Sequence, residues 1–132
     1  IAMKAIFKRT KPYQDDEMNL PVVNVDDSIP FYEQIMGFRV ESRSDTPTKC
    51  AVLFRDEIRM GISENGEDPT QDGCFFEVND AEATFNELKD NGLEKEEPNF
   101  RINTYGDTSY KIFFVVAPDD LCYSFGERIE KE

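Results

Sequence analysis

Residues 19–38 read NLPVVNVDDSIPFYEQIMGF, and residues 73–93 read GCFFEVNDAEATFNELKDNGL. Laid over each other, Val22-Val23-Asn24 falls on Val78-Asn79-Asp80, Ser28 on Thr84 and Ile29 on Phe85. Gly37-Phe38 falls on Gly92-Leu93 once one residue of the first stretch is skipped. Both stretches begin as alternating strands, with Met18, Leu20 and Val22 on one face of the first and Cys74, Phe76 and Val78 on one face of the second. Asn24 and Asp80 then stand where a side-chain oxygen caps a helix. Asp26 and Asp27 follow where the helix dipole favours negative charge. Ile29, Tyr32, Ile35 and Met36 recur at helical spacing, as do Ala81, Phe85 and Leu88, and Gly37 and Gly92 close the two helices. Pro30 is accommodated only early in its helix.

Outward from these stretches the pattern continues in the same order. Phe38–Ser44, Lys49–Phe54 and Glu57–Ser63 read as three strands after the first helix, with polar breaks that suit antiparallel hairpins. Asn99–Tyr105, Tyr110–Ala117 and Leu121–Gly126 read as three strands after the second, the last two joined by a Pro118-Asp119-Asp120 turn. Residues 64–72, ENGEDPTQD, carry no apolar side chain and form a linker. The expected organisation is one structural domain of class α+β. It comprises an N-terminal arm (1–17), a first βαβββ module (18–63), the linker (64–72), a second βαβββ module (73–127) and an acidic tail (128–132). Ile1-Ala2 ahead of Met3 are expected to be cloning remnants.

The chain has 132 residues, of which 39% are hydrophobic, enough for a real core. Fifteen basic against 28 acidic residues give a net charge of −13. Counterion release from nucleic acid needs a basic face, and anionic membranes repel an acidic chain, so neither is an expected partner. Histidine is absent, which removes Ser-His-Asp and Cys-His catalysis and imidazole-based metal sites. Cys50, Cys74 and Cys122 are odd in number and widely spaced. They read as reduced thiols of a cytoplasmic protein. No apolar run is long enough for a membrane helix, and no signal-peptide pattern opens the chain. Residues 3–13 carry Lys4, Lys8, Arg9 and Lys11 and no acid. Two readings of this arm stand: a partly mobile terminus, or a segment docked on the acidic body of its own or a neighbouring chain.

The duplicated layout resembles the vicinal oxygen chelate superfamily, which includes glyoxalase I, the bleomycin-resistance proteins and the type I extradiol dioxygenases. The residues that carry the resemblance are Val22-Val23-Asn24, Ser28, Phe31-Tyr32 and Gly37-Phe38, with Asn24 where the family usually has Asp. Phe76-Glu77-Val78-Asn79-Asp80 and Ala117-Pro118-Asp119-Asp120 follow in the second half. The resemblance implies curved mixed sheets around a cleft, and a homodimer. Ile6, Phe7 and Tyr13, oddly apolar for a free tail, agree with an arm laid on a partner. Glu17, Gly73 and Ser124 stand where the resemblance places the metal ligands of catalytic members, usually His or Gln, His, and Glu. A carboxylate, a missing side chain and a hydroxyl do not make a transition-metal site, so no metal or other cofactor is expected.

Putting Glu17, Gly73 and Ser124 on the open face of their strands turns the apolar alternates towards the helices, as a half-buried strand requires. Glu17, Asn19, Arg59, Phe75, Glu77 and Ser124 would then line one concavity, with Tyr105 on its rim; Tyr105-Gly106-Asp107 reads equally as a plain turn. Such a set holds recognition groups for a small molecule but no nucleophile or base–orienter pair. The expected function is small-molecule binding without a transition metal. Two inward carboxylates and the acidic chain favour a cationic or zwitterionic ligand. A metal-independent lyase or isomerase using Glu17 or Glu77 as acid or base is the alternative.

Overall fold

The computed structural model describes residues 4–14 and 16–129. Nine strands and two helices follow one another as β1 (Phe7–Pro12), β2 (Leu20–Pro21), α1 (Val25–Gln34), β3 (Arg39–Ser44), β4 (Cys50–Arg55), β5 (Ile58–Ser63), β6 (Gly73–Val78), α2 (Ala81–Asp90), β7 (Arg101–Tyr105), β8 (Thr108–Val116) and β9 (Cys122–Ile129). They form two mixed sheets, ordered β2-β5-β4-β3 and β1-β6-β9-β8-β7. Without β1, both sheets place their four strands in the same order, first-fourth-third-second. The duplication read from the sequence is therefore a duplication of topology, and the α+β class is as expected.

Local chemistry sets the element ends. The Asn24 side chain accepts the Asp27 N–H at 3.0 Å and the Asp80 side chain accepts the Ala83 N–H at 2.8 Å, so both helices start at the expected caps. Gly37 and Gly92 take positive φ angles just beyond the helix ends. In the second module the Leu93 N–H bonds back to the Leu88 carbonyl at 2.9 Å, the closure that needs a left-handed residue before it. The first strand is shorter than expected. Leu20 and Val22 are buried, but Met18 is exposed. Only Leu20–Pro21 pair with β5, because the preceding chain crosses over Gly61 instead: the Gly61 N–H bonds to the Glu17 carbonyl at 2.8 Å.

Of the readings of the arm, docking on the body of its own chain is the one that Phe7–Pro12 follows. This segment is β1, an antiparallel edge strand that hydrogen-bonds to β6. Phe7 is fully buried in this chain's own core, packed on Phe38 of the first module and on Phe76 and Phe125 of the second. An aromatic in a strand gains more from that burial than a free terminus would. Phe7 is thereby accounted for within the chain, while Ile6 and Tyr13 stay exposed. The tail is corrected as well. Arg128 and Ile129 extend β9, and the Glu127 carboxylate accepts the Ala81 N–H at 2.9 Å, capping α2. Residues 130–132 lie outside the described residues.

The helix-side faces of both sheets and the apolar stripes of both helices share one core. At its centre Tyr32 of α1 meets Tyr123 of β9, with hydroxyls 2.5 Å apart, and the Tyr32 hydroxyl donates to Asp119 at 2.7 Å. Burial pushes both phenols well above their ordinary range and raises the Asp119 carboxyl. The trio keeps its polar atoms satisfied inside an aromatic core.

Candidate functional site

Cross-strand partners share a face of a sheet, and that rule lays out the open side of the five-stranded sheet. Lys11, Phe75, Ser124 and Phe114 form one row across β1, β6, β9 and β8. Arg9, Glu77, Gly126, Ile112 and Arg101 form the next, reaching β7. Arg128, Tyr110 and Asn103 form a third. The alternate residues Cys74, Phe76, Phe113, Tyr123 and Phe125 all point into the core.

A cavity of about 460 Å³ lies on this face. Its floor is aromatic and aliphatic, with Tyr13, Phe75, Tyr110, Ile112 and Phe114 contributing most of it, and Ser124 and Cys122 in the middle. Phe75 and Tyr110 meet edge to face at 5.2 Å between ring centres. The ring of Phe75 has room because β9 carries glycine beneath it: a Cβ on Gly126 would fall 2.5 Å from Phe75 Cε1. The Tyr13 hydroxyl donates to Ser124 Oγ at 2.7 Å. Burial raises the Tyr13 phenol and the Cys122 thiol above their ordinary values, so both groups stay neutral at physiological pH. Cys74, on the core side, is pushed up to about 12 by the same cause.

Of the seven residues singled out in the sequence, Phe75, Tyr105 and Ser124 line this cavity. Glu77 lies beside it in the sheet floor, nearly buried, and accepts the Tyr110 hydroxyl at 3.3 Å. The other three sit elsewhere. Arg59 pairs with Glu41 on the exposed face of the four-stranded sheet. Asn19 accepts the Asn65 amide near the linker, through both its carbonyl and its side-chain oxygen. Glu17 is half-buried where the chain crosses β5. Lys11, Pro12, Tyr13, Tyr110, Ile112 and Phe114 were not foreseen, while Cys122 shares the open face with Ser124 as the alternation of its strand requires. The alternation of β8 carries the signal for Tyr110, Ile112 and Phe114 once Ser124 is placed on the open face. Nothing local marks Lys11 and Tyr13, whose position depends on β1 pairing with a strand more than sixty residues away.

The metal of the catalytic relatives finds no matching donors. Gly73 offers no side chain, the Ser124 hydroxyl is engaged by Tyr13, and Glu17 does not line the cavity. Among the described residues no three carboxylate or thiolate side chains converge. Among them, too, no helix is long and apolar enough to cross a membrane.

Comparison with known proteins agrees with the architecture. A model of the Glyoxalase/Bleomycin resistance protein/Dioxygenase superfamily matches residues 16–120. No curated protein matches the chain in sequence. A virulence protein from Salmonella typhimurium superposes with a TM-score of 0.64 at 16% identity, over 88% of this chain and 97% of that one. TnmS3, an antibiotic binding protein from Streptomyces sp. CB03234, gives 0.62 at 12% identity, over 88% and 97%. A bleomycin-binding protein solved with bleomycin gives 0.60 at 20% identity, over 86% and 98%. At these identities the solved structures speak for the fold, while the match over residues 16–120 speaks for descent: the chain belongs to the Glyoxalase/Bleomycin resistance protein/Dioxygenase superfamily.

Proposed function

We propose that this protein binds and sequesters a small, flat, largely apolar molecule on the open face of the five-stranded sheet. The observation that carries the reading is the cavity itself. Its volume falls in the range of small-molecule sites, its floor is aromatic, and a few convergent hydrogen-bonding groups sit within it. Structural relatives described as bleomycin-binding and antibiotic binding support the same use of the fold. Binding rather than turnover fits most of the polar groups on the page, since the Tyr13 phenol and the Cys122 thiol are held neutral and the Tyr13 hydroxyl bonds Ser124 rather than a base.

The metal-independent lyase or isomerase keeps one supporting observation, the Glu77–Tyr110 pair, in which a carboxylate backs a phenol that faces the cavity. Glu17 lies outside that site, so the acid–base role would fall to Glu77 through Tyr110. Deuterium exchange into a bound ligand, lost in Tyr110→Phe, would favour this second reading.

A thermal-shift screen of planar aromatic compounds tests the binding reading. A true ligand at ~100 times its Kd should stabilise the fold by about 2.7 kcal/mol. Gly126→Ala is the companion variant, because its new methyl displaces the end of the Phe75 ring rather than backbone. It should cost only about 1 kcal/mol of stability while weakening the ligand at least roughly tenfold, equal to ~1.4 kcal/mol. Unchanged affinity in this variant would place the ligand elsewhere.

A homodimer, implied by the family, belongs to the same proposal. Phe114 and Val116 are apolar and exposed on the open face, and a second chain would shield them. Light scattering should then give twice the chain mass of 15.2 kDa; the monomer mass at micromolar concentration would refute it. The free thiols suit the reducing, cytoplasmic setting proposed for the protein.

A further inference from the structure

The charge around the cavity is opposite in sign to the charge of the chain. The open face of the five-stranded sheet carries Arg9 and Lys11 on β1, Arg128 on β9 and Arg101 on β7, against one carboxylate, Glu77. Register fixes these placements: Arg9 stands opposite Glu77, Lys11 opposite Phe75, Arg128 opposite Tyr110, and Arg101 opposite Ile112. Lys11 is part of the cavity wall itself. Among the described residues these four cations have no carboxylate within salt-bridge distance. Elsewhere Arg43, Lys49, Arg55, Arg59 and Lys111 each have one, while Lys4, Lys8, Arg39, Lys89 and Lys95 have none among those residues but are scattered over several surfaces; what distinguishes the open face is four such cations together. The carboxylate on the face is turned down among its neighbours, nearly buried and hydrogen-bonded by Tyr110.

Geometry gives this charge a purpose. Lys11 and Arg101 stand on the two outer strands, four strand spacings or about 19 Å apart at the backbone. Arg128 closes a third side beyond Tyr110. The aromatic floor lies between them, so a ring resting on Phe75 and Phe114 would carry a peripheral substituent to a cationic rim. The cationic or zwitterionic ligand expected from the sequence rested on Glu17 and Glu77 facing one concavity, and the fold does not bring them together there. On a chain of net charge −13 a local cluster of cations with no carboxylate partner among the described residues is a selective feature. It attracts an anion that the rest of the surface repels, and it does so most strongly over a floor that excludes water.

We propose that the ligand of this face is a planar aromatic anion, an aromatic carboxylate or sulfonate, with its ring on the Phe75–Tyr110–Phe114 floor and its anionic group at Lys11, the rim cation that lines the cavity, while Arg101 and Arg128 add to the attracting field from the other sides. This deepens the small-molecule reading above and rests on it. Steering by the rim adds to affinity only for a ligand that also fills the floor. Inorganic anions alone should therefore bind weakly.

Three matched probes test the inference by calorimetric titration of the full chain: naphthalene-2-carboxylate, its neutral carboxamide, and the cationic 2-naphthylmethylammonium. The carboxylate should bind at least roughly tenfold tighter than the amide, and the ammonium weaker than the amide. The double variant Lys11→Gln/Arg101→Gln should bring the carboxylate down to the affinity of the amide measured on the same variant. Raising salt from roughly 0.05 to 0.5 M should erode the advantage of the carboxylate alone, because the rim is solvated. Equal binding of carboxylate and amide, or tightest binding by the ammonium, would overturn the charge assignment. The site itself would stand in that case, provided Gly126→Ala weakens all three probes. No binding by any probe, or binding indifferent to Gly126→Ala, would remove the site and the inference with it.

Discussion

Arg55→Ala is expected to lower stability by about 3 kcal/mol, seen in urea unfolding and as a melting temperature roughly 10 °C lower. The guanidinium comes from β4 in the first module and is almost fully buried. It grips Glu87 of α2 in the second module with a two-pronged contact at 2.5 and 2.8 Å. It also donates to the Met36 carbonyl beyond α1 at 2.8 Å and to the Ala5 carbonyl of the arm at 3.2 Å, and lies 4.2 Å over the centre of the Phe7 ring. One side chain thus ties together four segments that are distant in sequence. Removing it strands two buried carbonyls and a partly buried carboxylate, whose loss of partners costs more than the pair contributes when intact. Arg55→Lys keeps the charge but not the planar fork, and should recover less than half of the loss. Glu87→Gln should cost only about 1 kcal/mol, since Glu87 keeps some access to water. A melting temperature for Arg55→Ala within about 3 °C of the parent would show that the modules are held by the aromatic core alone.

Gly73→Ala should be worse, costing about 4 kcal/mol or preventing folding outright. Gly73 opens β6 with φ near +149°, and a Cβ there would fall 1.7 Å from the Cys122 carbonyl oxygen and 2.7 Å from its carbon. The obstacle is backbone, so no rotamer change relieves it. The only escape is to pull β6 away from β9, which would break the parallel pairing that joins Gly73 to Cys122 and Phe75 to Ser124. Gly66→Ala is the control. Gly66 also has a positive φ, but nothing lies within 4 Å of its Cβ position, so only the conformational cost of about 1 kcal/mol applies. Similar unfolding midpoints for the two variants would mean that β6 and β9 tolerate separation at this end, and the account of the cavity wall would need revision.

Much of this protein is decided locally and is legible as such. Asn24 and Asp80 cap, Gly37 and Gly92 release the chain, and Cys74-Phe75-Phe76-Glu77-Val78 alternates because one face of β6 packs into the helix-side core and the other forms the floor of the open face. Each of these features depends on neighbours within a few residues, and duplication of the pattern fixes the topology of both modules. The faces of Phe75, Glu77 and Ser124 follow from the same period of two. Long-range pairing decides the rest. Val25 to Gln34 reads as the same helix whether or not Tyr32 meets Tyr123, and Lys4–Tyr13 reads as a basic arm until β6 supplies a strand edge for it. Edge strands form when backbone groups elsewhere need partners and an aromatic such as Phe7 finds a hole to fill. Neither condition is written in the arm. The cavity depends on that strand, since Lys11 and Tyr13 are part of its wall. Its charge does too, because net charge is a sum over residues and a binding face is a selection among them. The sequence determined two βαβββ modules and an acidic chain; the tertiary structure alone decided that Arg9, Lys11, Arg101 and Arg128 share a face with an aromatic floor, because register across five strands, not spacing along one, chooses which side chains stand together.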